Sequence, residues 1–232
     1  MKWLMAITLC AATAFGGTCR IITYFKSPCV NAAYGIDYHG GYLYHVDTEA
    51  PFHIYQTTTT GSLVRSIPNA AGAWDLDRTA DGFWACSGSS PLIWHLTTTG
   101  SLKDMFVGPS TLNGRGITAG GDCLWYTNYW TVYKLTLAGS VMASFAASRT
   151  TGLFWEAPYL WLTVKSTSVI FQVTTTGSIV DNFPVEGVGG PVGITRGDGD
   201  IWFTAGNRVY RTRICYTAVA PASLGRVKAL YR

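Results

Sequence analysis

The residues best suited to bind a ligand lie near one another in the sequence and include two large aromatic rings. Arg115, Asn128, Tyr129 and Trp130 combine a cation, an amide and an adjacent Tyr-Trp pair. An exposed Tyr-Trp pair can stack on a sugar ring or anchor a partner protein, because each ring offers a large apolar surface with a polar edge. We therefore predict that these four residues form a recognition surface. Packing of the loop over its own strands is the alternative interpretation.

Three further residues, Asp47, Glu49 and His53, have donor atoms that could hold a divalent metal ion. Carboxylate oxygen and imidazole nitrogen are ordinary ligands of zinc and similar ions. The strand pattern places these three at one end of a sheet and His39 at the opposite end, so only the trio can converge. A trio on a single loop is weak evidence for a metal. We therefore favour a solvated loop and predict no resident cofactor.

The usual sequence signatures of catalysis are absent. The sequence contains no Gly-rich phosphate loop, no Gly-x-Ser-x-Gly, no His-Glu-x-x-His and no paired-cysteine zinc spacing. The formal net charge of +4 is too small to indicate a nucleic-acid partner, and no recognition motif supports one. A charged fraction of only 13% with 14% aromatic residues indicates a folded rather than a disordered protein.

An internal repeat must position these side chains. Its clearest marker is a Gly-Ser turn, which recurs in steps of 39, 39 and 38 residues at Gly61, Gly100, Gly139 and Gly177. A second marker is an apolar residue followed by a large aromatic, at Leu43-Tyr44, Phe83-Trp84, Leu124-Trp125, Leu160-Trp161 and Ile201-Trp202. Each repeat holds three short strands and a fourth after the turn, which is typical of a β-propeller blade. We expect the aromatic column to fill the space between neighbouring blades.

Five repeats can be aligned, and they predict an all-β fold, a five-bladed β-propeller of four-stranded antiparallel blades. The repeats cover about 31–61, 62–100, 101–139, 140–177 and 178–216. The fifth repeat lacks a Gly-Ser turn after its third strand, whereas residues 20–25 match the fourth strand of the other repeats. We therefore predict that this N-terminal strand completes the last blade and closes the ring, which removes an exposed sheet edge. The propeller is expected to span residues 15–216.

The repeat resembles that of the streptogramin lyase and NHL-type propellers. The resemblance covers about residues 31–214 and rests on two stretches, Gly193-Ile194-Thr195 with Gly199-Asp200-Ile201-Trp202-Phe203-Thr204, and Gly116-Ile117-Thr118 with Leu124-Trp125-Tyr126-Thr127. It implies a propeller fold. Those lyases have seven blades and a metal-assisted site with histidines and a glutamate from late blades, whereas this sequence has five repeats and no histidine after His95. The lyase chemistry is therefore not carried over.

Residues 1–14 are predicted to be a secretory signal peptide. They contain Met1-Lys2, an apolar run from Trp3 to Ala11, and Ala12-Thr13-Ala14 as a small-x-small cleavage site. A buried N-terminal strand is the alternative. The signal leads us to expect a secreted, periplasmic or cell-surface protein.

An oxidising compartment gives the cysteines a structural use. In the repeat register Cys19 and Cys215 face each other across the break in the last blade, so we predict a Cys19–Cys215 disulfide that closes a very large loop. Two neighbouring buried thiols are the alternative. Cys29, Cys86 and Cys123 fall at different heights of the repeat, and we leave them unassigned.

The basic tail at 217–232 and the loop face suggest how the protein contacts others. Leu224, Val227 and Leu230 recur at helical spacing among basic residues, so the tail could contact an anionic surface; packing on the last blade is the alternative. We predict a monomeric binding module that recognises an extracellular glycan, small molecule or partner protein through its loop face. The alternative function is a metal-assisted lyase or hydrolase of a small extracellular substrate, acting through the loop with Asp47, Glu49 and His53.

Overall fold

The computed structural model describes residues 17–48, 50, 52–69 and 72–216. Twenty β-strands in this part of the chain form five sheets of four antiparallel strands. One 3₁₀ turn, Lys165–Thr167, is the single helical element among these residues, and none of their helices could span a membrane. The predicted signal peptide at 1–14 and the tail at 217–232 lie outside the described residues.

Four of the sheets are built from consecutive strands. The first blade contains β2 (Ala33–His39), β3 (Tyr42–Asp47), β4 (His53–Thr58) and β5 (Leu63–Pro68). The second contains β6 (Ala73–Thr79), β7 (Gly82–Ser87), β8 (Leu92–Leu96) and β9 (Leu102–Val107). The third contains β10 (Gly116–Gly120), β11 (Cys123–Thr127), β12 (Thr131–Thr136) and β13 (Val141–Ala146). The fourth contains β14 (Gly152–Glu156), β15 (Tyr159–Val164), β16 (Val169–Thr174) and β17 (Ile179–Pro184).

The fifth blade joins the two ends of the described chain. It contains β18 (Ile194–Gly197), β19 (Asp200–Ala205) and β20 (Arg208–Tyr216), and its fourth strand is β1 (Gly17–Lys26). β1 pairs antiparallel with β20, so that Arg20 lies opposite Arg213 and Phe25 opposite Val209. The inner strands pack side by side around one axis, with β18 against β2. The predicted five-bladed propeller and its closure by the N-terminal strand are confirmed.

The recurrent aromatic column packs between blades, as predicted. Trp125 of the third blade packs with Leu153 and Leu160 of the fourth, and Trp161 of the fourth packs with Phe203 of the fifth. The register places a polar residue of the third strand directly across from each column aromatic: Tyr44 with Gln56, Trp84 with His95, Trp125 with Lys134, Trp161 with Gln172, and Trp202 with Arg211. The polar column covers the rings: His95 stacks on Trp84 with 4.2 Å between ring centroids.

The Gly-Ser turn recurs because the preceding blade leaves no room for a side chain. Gly139 has a φ of +87°, and a Cβ at this position would lie 2.5 Å from the ring of Phe106 in the second blade. Gly177 meets Phe145 of the third blade in the same way. Only glycine combines the left-handed backbone with this close approach. The four Gly-Ser turns, which lie at one end of the disk that we call the turn end, are therefore nearly identical from blade to blade.

Acidic side chains on the inner strands connect neighbouring blades. Asp37 accepts a hydrogen bond from the hydroxyl of Thr195 at 2.9 Å on one side and from the N–H of Arg78 at 3.0 Å on the other. Asp77 accepts from the hydroxyl of Thr118 at 2.6 Å and from a backbone N–H of the third blade at 2.7 Å. Burial raises the pKa of both carboxyl groups, and the neighbouring charge of Asp77 raises that of Asp37 further. These acids therefore hold adjacent blades together.

Candidate functional site

The predicted ligand-binding residues meet at the end of the disk opposite the Gly-Ser turns, which we call the loop end. The loop end carries the connections between blades and those between the second and third strands of each blade. Arg115 lies at the entry to β10, while Asn128, Tyr129 and Trp130 form the connection between β11 and β12. The Arg115 N–H donates to the carbonyl of Thr127 at 2.8 Å, which fixes the two segments against each other.

Asn128 organises the loop from a buried position. Its Oδ1 accepts the N–H of Trp130 at 3.0 Å and the N–H of Thr131 at 2.9 Å, as in an Asx turn. Its Nδ2 donates to the hydroxyl of Ser110 at 2.8 Å in the preceding connection. Because the amide is used on both sides within the protein, Asn128 holds its two aromatic neighbours in place rather than presenting free donors to a ligand.

Tyr129 and Trp130 form the aromatic wall of the site. Tyr129 has a φ of +86°, a conformation that bulky residues rarely adopt. Its carbonyl accepts the N–H of Thr150 at 3.1 Å, and its ring meets Trp130 edge to face with 5.1 Å between centroids. Trp130 is 49% exposed. Unusual backbone geometry is found disproportionately at functional sites, so the Tyr129 conformation agrees with the predicted role.

Arg115 stacks on a tryptophan that sequence reasoning did not select. The guanidinium carbon lies 4.0 Å from the ring centroid of Trp74, and Trp74 in turn packs against Tyr34 with 4.2 Å between centroids. The indole Nε1 of Trp74 is buried and has no hydrogen-bond partner among the described residues. A guanidinium held over an indole face keeps its planar donors aimed sideways, where a carboxylate or phosphate can meet them.

The repeat register contains the signal that would have found Trp74. Each inner strand has an aliphatic residue at the same place in the repeat. The residues two positions before it are equivalent in the five blades and lie where each inner strand begins, at the loop end of the central channel: Tyr34, Trp74, Arg115, Thr151 and Val192. No residue type is shared among them. Repeats are recognised by residues that recur at equivalent positions, so a position that differs in every blade is easily overlooked.

Two cavities adjoin at the loop end and share Arg115 and Tyr129. The first has a volume of about 250 Å³ and is lined by Thr111, Leu112, Asn113, Arg115, Asn128, Tyr129 and Trp130. The second has a volume of about 490 Å³ and is lined by Trp74, Arg115, Tyr129, Thr151, Lys165, Ser166 and Gly190. The structure thus brings all four predicted residues to one cavity and adds Trp74 and the exposed Lys165 from the 3₁₀ turn beside it.

Asp75 lies on the inner strand immediately after Trp74. It occupies the position where the other blades have Gly35, Gly116, Gly152 and Gly193. Its Oδ2 accepts the N–H of Ile117 at 3.1 Å, and the side chain is buried. Burial raises the pKa of this carboxyl well above its ordinary value. The Asp75 side chain is bonded to the neighbouring inner strand.

The predicted metal trio does not gain support from the described residues. Asp47 is buried, and its Oδ2 accepts the N–H of Val30 at 2.9 Å. His53 packs beside Tyr55 with 5.7 Å between ring centroids, and Glu49 lies outside the described residues. No group of three or more histidine, cysteine, aspartate or glutamate side chains in the described part of the chain could hold a metal ion.

A buried Cys-His pair in the first blade is chemically inert. The Sγ of Cys29 lies 3.7 Å from Nδ1 of His45, which also contacts the hydroxyl of Ser27 at 2.9 Å. Burial raises the pKa of Cys29 to about 12 and lowers the pKa of His45 to about 3. Both groups are therefore neutral at ordinary pH, and a nucleophilic cysteine requires a thiolate. The pair contributes to packing at the entry to the blade.

The predicted Cys19–Cys215 disulfide is not shown and stays a prediction. The backbone register pairs Cys19 with Ile214 and Cys215 with Thr18, so the two cysteines are offset by one residue rather than directly opposite. Nothing is described for the Cys215 side chain. Cys29, Cys86 and Cys123 are buried thiols that form no disulfide.

Comparison with known proteins identifies the class of fold. No protein-family profile and no curated protein matches the sequence. The crystal structure of Myxococcus xanthus glutaminyl cyclase aligns with a TM-score of 0.73 at 12% identity, over 88% of this chain and 99% of that chain. A streptogramin B lyase aligns with a TM-score of 0.52 at 21% identity, over 78% of this chain and 65% of that chain. The WD40 propeller domain of Doa1 gives 0.53 at 13% identity, over 76% and 62%.

The molecule is thus a five-bladed β-propeller with two adjoining aromatic and basic cavities at one end. The resemblance to streptogramin lyase-like propellers is confirmed at the level of the fold. Its structural neighbours include a cyclase, a lyase and a WD40 domain, so the fold does not determine the function.

Proposed function

We propose that the protein is a binding module that recognises an acidic saccharide in the two loop-end cavities. The observation that carries the proposal is the stack of Arg115 on Trp74, because Arg115 forms the wall shared by both cavities. A ligand that suits the site has a carboxylate to meet the guanidinium and a ring to lie against Tyr129 or Trp130.

The two types of side chain support different parts of such a ligand. Arg115 and Lys165 provide positive charge to the larger cavity, and charge-assisted hydrogen bonds to a carboxylate are about twice as strong as neutral ones. Trp130, with half of its surface exposed, offers an apolar face to a sugar ring. A combined volume of several hundred Å³ suits a saccharide of a few units rather than a macromolecular domain.

A glycan array followed by calorimetry tests the proposal. We expect binding to oligosaccharides that contain uronic or sialic acid, and weaker binding to their neutral counterparts. Arg115→Ala should reduce affinity by about tenfold to a hundredfold, and Arg115→Lys should recover only part of it because lysine lacks the planar fork. Arg65→Ala, which removes an exposed arginine of β5 outside both cavities, is the matched control and should have no effect.

The array also distinguishes the kind of ligand. Equal binding of acidic and neutral glycans would contradict the role of Arg115, and binding that survives Trp130→Ala would contradict stacking. If the folded protein bound no glycan on the array, a saccharide ligand would be excluded. The ligand of the same cavities would then be a small acidic molecule or a peptide carboxylate.

The enzyme alternative has a separate test. A metal-assisted lyase or hydrolase using Asp47, Glu49 and His53 would contain a stoichiometric divalent metal after purification. Metal analysis of the wild-type protein and of His53→Ala would reveal it, since the variant would lose the metal. No contact among the described residues favours this alternative over binding.

A further inference from the structure

An exposed apolar surface encircles the turn end of the disk. The fourth strand of each blade begins there, immediately after the turn, and its first two residues are apolar and exposed in three blades: Leu63 and Val64, Val141 and Met142, Ile179 and Val180. Leu102 and Ile22 continue this pattern in the other two blades. We call this set the apolar belt.

The belt follows from a structural feature that all five blades share. In each fourth strand the register shifts at the second of these residues, so that Val64, Met142 and Val180 sit on a β-bulge. A bulge twists the strand and turns a side chain away from the ladder. The side chains of the belt therefore extend outward instead of packing on the sheet.

Packing inside the propeller does not explain the belt. The blades are already held together by the buried aromatic column, and the belt residues are on edge strands, where soluble proteins usually place charged side chains to prevent association. Of the five bulge positions on these strands, Lys103 in the second blade is the charged one. Adjacent pairs of exposed apolar residues that recur at the same end of several edge strands are unusual in a soluble protein, and we interpret them as an interaction site.

Both ends of the described chain reach the belt. Gly17 begins β1 and pairs with Tyr216 at the end of β20, at the same end of the disk. The sequence that follows Tyr216 contains Arg226, Lys228 and Arg232 without a single acidic residue. A basic sequence that continues the chain from this end suits an anionic lipid surface, because each lysine or arginine near the membrane adds electrostatic attraction.

The charges on the described part of the turn end agree with such a partner. Most acidic side chains there are already paired: Asp81 with Lys103 at 2.7 Å, Glu156 with Arg196 at 2.6 Å, and Asp200 with both Arg211 and Arg213 at 2.7 Å. Arg20 and Arg65 lie on the belt strands themselves and are exposed. Asp122 and Asp198 are also exposed at this end, so most but not all of its negative charge is balanced by a neighbouring cation.

We propose that the protein docks on an anionic lipid bilayer through the apolar belt, with the basic residues around it contacting the headgroups. In this orientation the turn end faces the lipid. The two cavities, at the opposite end of every blade, face away from the membrane and stay accessible to a ligand.

Vesicle co-sedimentation of the full chain tests the proposal. The probes are vesicles of phosphatidylcholine mixed with phosphatidylglycerol, and vesicles of phosphatidylcholine alone. We expect binding to the anionic vesicles that weakens as salt rises. A variant with Val141→Ser, Met142→Ser, Ile179→Ser and Val180→Ser should lose at least about tenfold in affinity, because it removes four apolar side chains from the contact.

The matched control is Val107→Ser, which removes an exposed valine (66%) from the other end of an edge strand. It should bind vesicles as the wild type does. Both variants keep residues 1–16 and 217–232, so a difference between them reports on the belt alone, and thermal unfolding verifies that both are folded. Equal losses in the two variants, equal binding to both kinds of vesicle, or no vesicle binding would overturn the proposal. So would self-association that the belt substitutions abolish while vesicle binding is unchanged.

Discussion

The two ends of the propeller are subject to different physical constraints. At the turn end, the same glycine and the same hydroxyl-capped turn recur in four blades, and the same bulge recurs in all five. Each turn glycine fits closely against the preceding blade: Gly61, Gly139 and Gly177 against a phenylalanine ring, and Gly100 against Ile67 and Pro68. At the loop end, the five equivalent channel-mouth positions hold five different residues. Positions that recur in every blade are therefore those that stack the blades, and positions that differ from blade to blade are those where a ligand can be recognised.

The largest expected contrast is between two tryptophans of the third blade. Trp125 is buried against the fourth blade, so Trp125→Ala should lower the free energy of unfolding by about 3–5 kcal/mol. Trp130 is half exposed on the loop and its ring meets Tyr129 in an edge-to-face aromatic contact, so Trp130→Ala should change it by only about 1 kcal/mol while abolishing ligand binding. Denaturant titration and calorimetry measure the two effects. A large loss of stability in Trp130→Ala would show that the loop is part of the core.

The recurrent features of the blades were predictable from the sequence. A glycine such as Gly139 and an aromatic such as Trp125 recur because every blade imposes the same steric demand, so their spacing gives the blade count and the closing strand. Trp74 was not recognised as part of the site, because the five channel-mouth positions share no residue type. The contacts of Asn128 could not be predicted from the sequence either, because they join two loops whose relative position depends on how the whole propeller folds.

The next effect concerns the Gly-Ser turn itself. Gly139→Ala should lower the free energy of unfolding by about 2–3 kcal/mol, because the new Cβ would meet Phe106 and the backbone has a positive φ. Gly121→Ala is the control: its φ of +68° is similar, yet nothing lies within 4 Å of an added Cβ. It should cost only about 1 kcal/mol. Equal losses would show that backbone conformation, and not inter-blade packing, explains why this glycine recurs from blade to blade.

A pH titration examines the inner strands, which connect the two ends. Burial raises the pKa of Asp75 in the folded protein, whereas the pKa of an aspartate in an unfolded chain is about 4. The folded state therefore binds more protons than the unfolded state above that pH, and this residue's contribution to stability falls as pH rises through the folded pKa. Asp75→Asn should become more stable relative to the wild type as pH rises, by at most about 1.4 kcal/mol per pH unit.

The control for this titration is Asp122→Asn, which removes an exposed carboxylate at the turn end. Chemical denaturation of both variants at a series of pH values compares the loss of a buried carboxylate with the loss of an exposed one. If Asp75→Asn instead became less stable relative to the wild type as pH rises, the raised pKa would be contradicted.

The smallest effect on stability is expected at Tyr129, and it is the most direct test of why the loop end departs from the repeat. Tyr129→Gly removes the unfavourable positive φ, which stabilises by about 1 kcal/mol, and loses the edge-to-face contact with Trp130, which costs a similar amount. The free energy of unfolding should therefore stay nearly constant while ligand affinity falls at least about tenfold, because the ring that separates the two cavities is gone. Tyr129→Phe keeps the ring and should keep the affinity. If Tyr129→Gly instead unfolded the protein, the strained tyrosine would be needed for packing, and the loop end would obey the same constraint as the turn end.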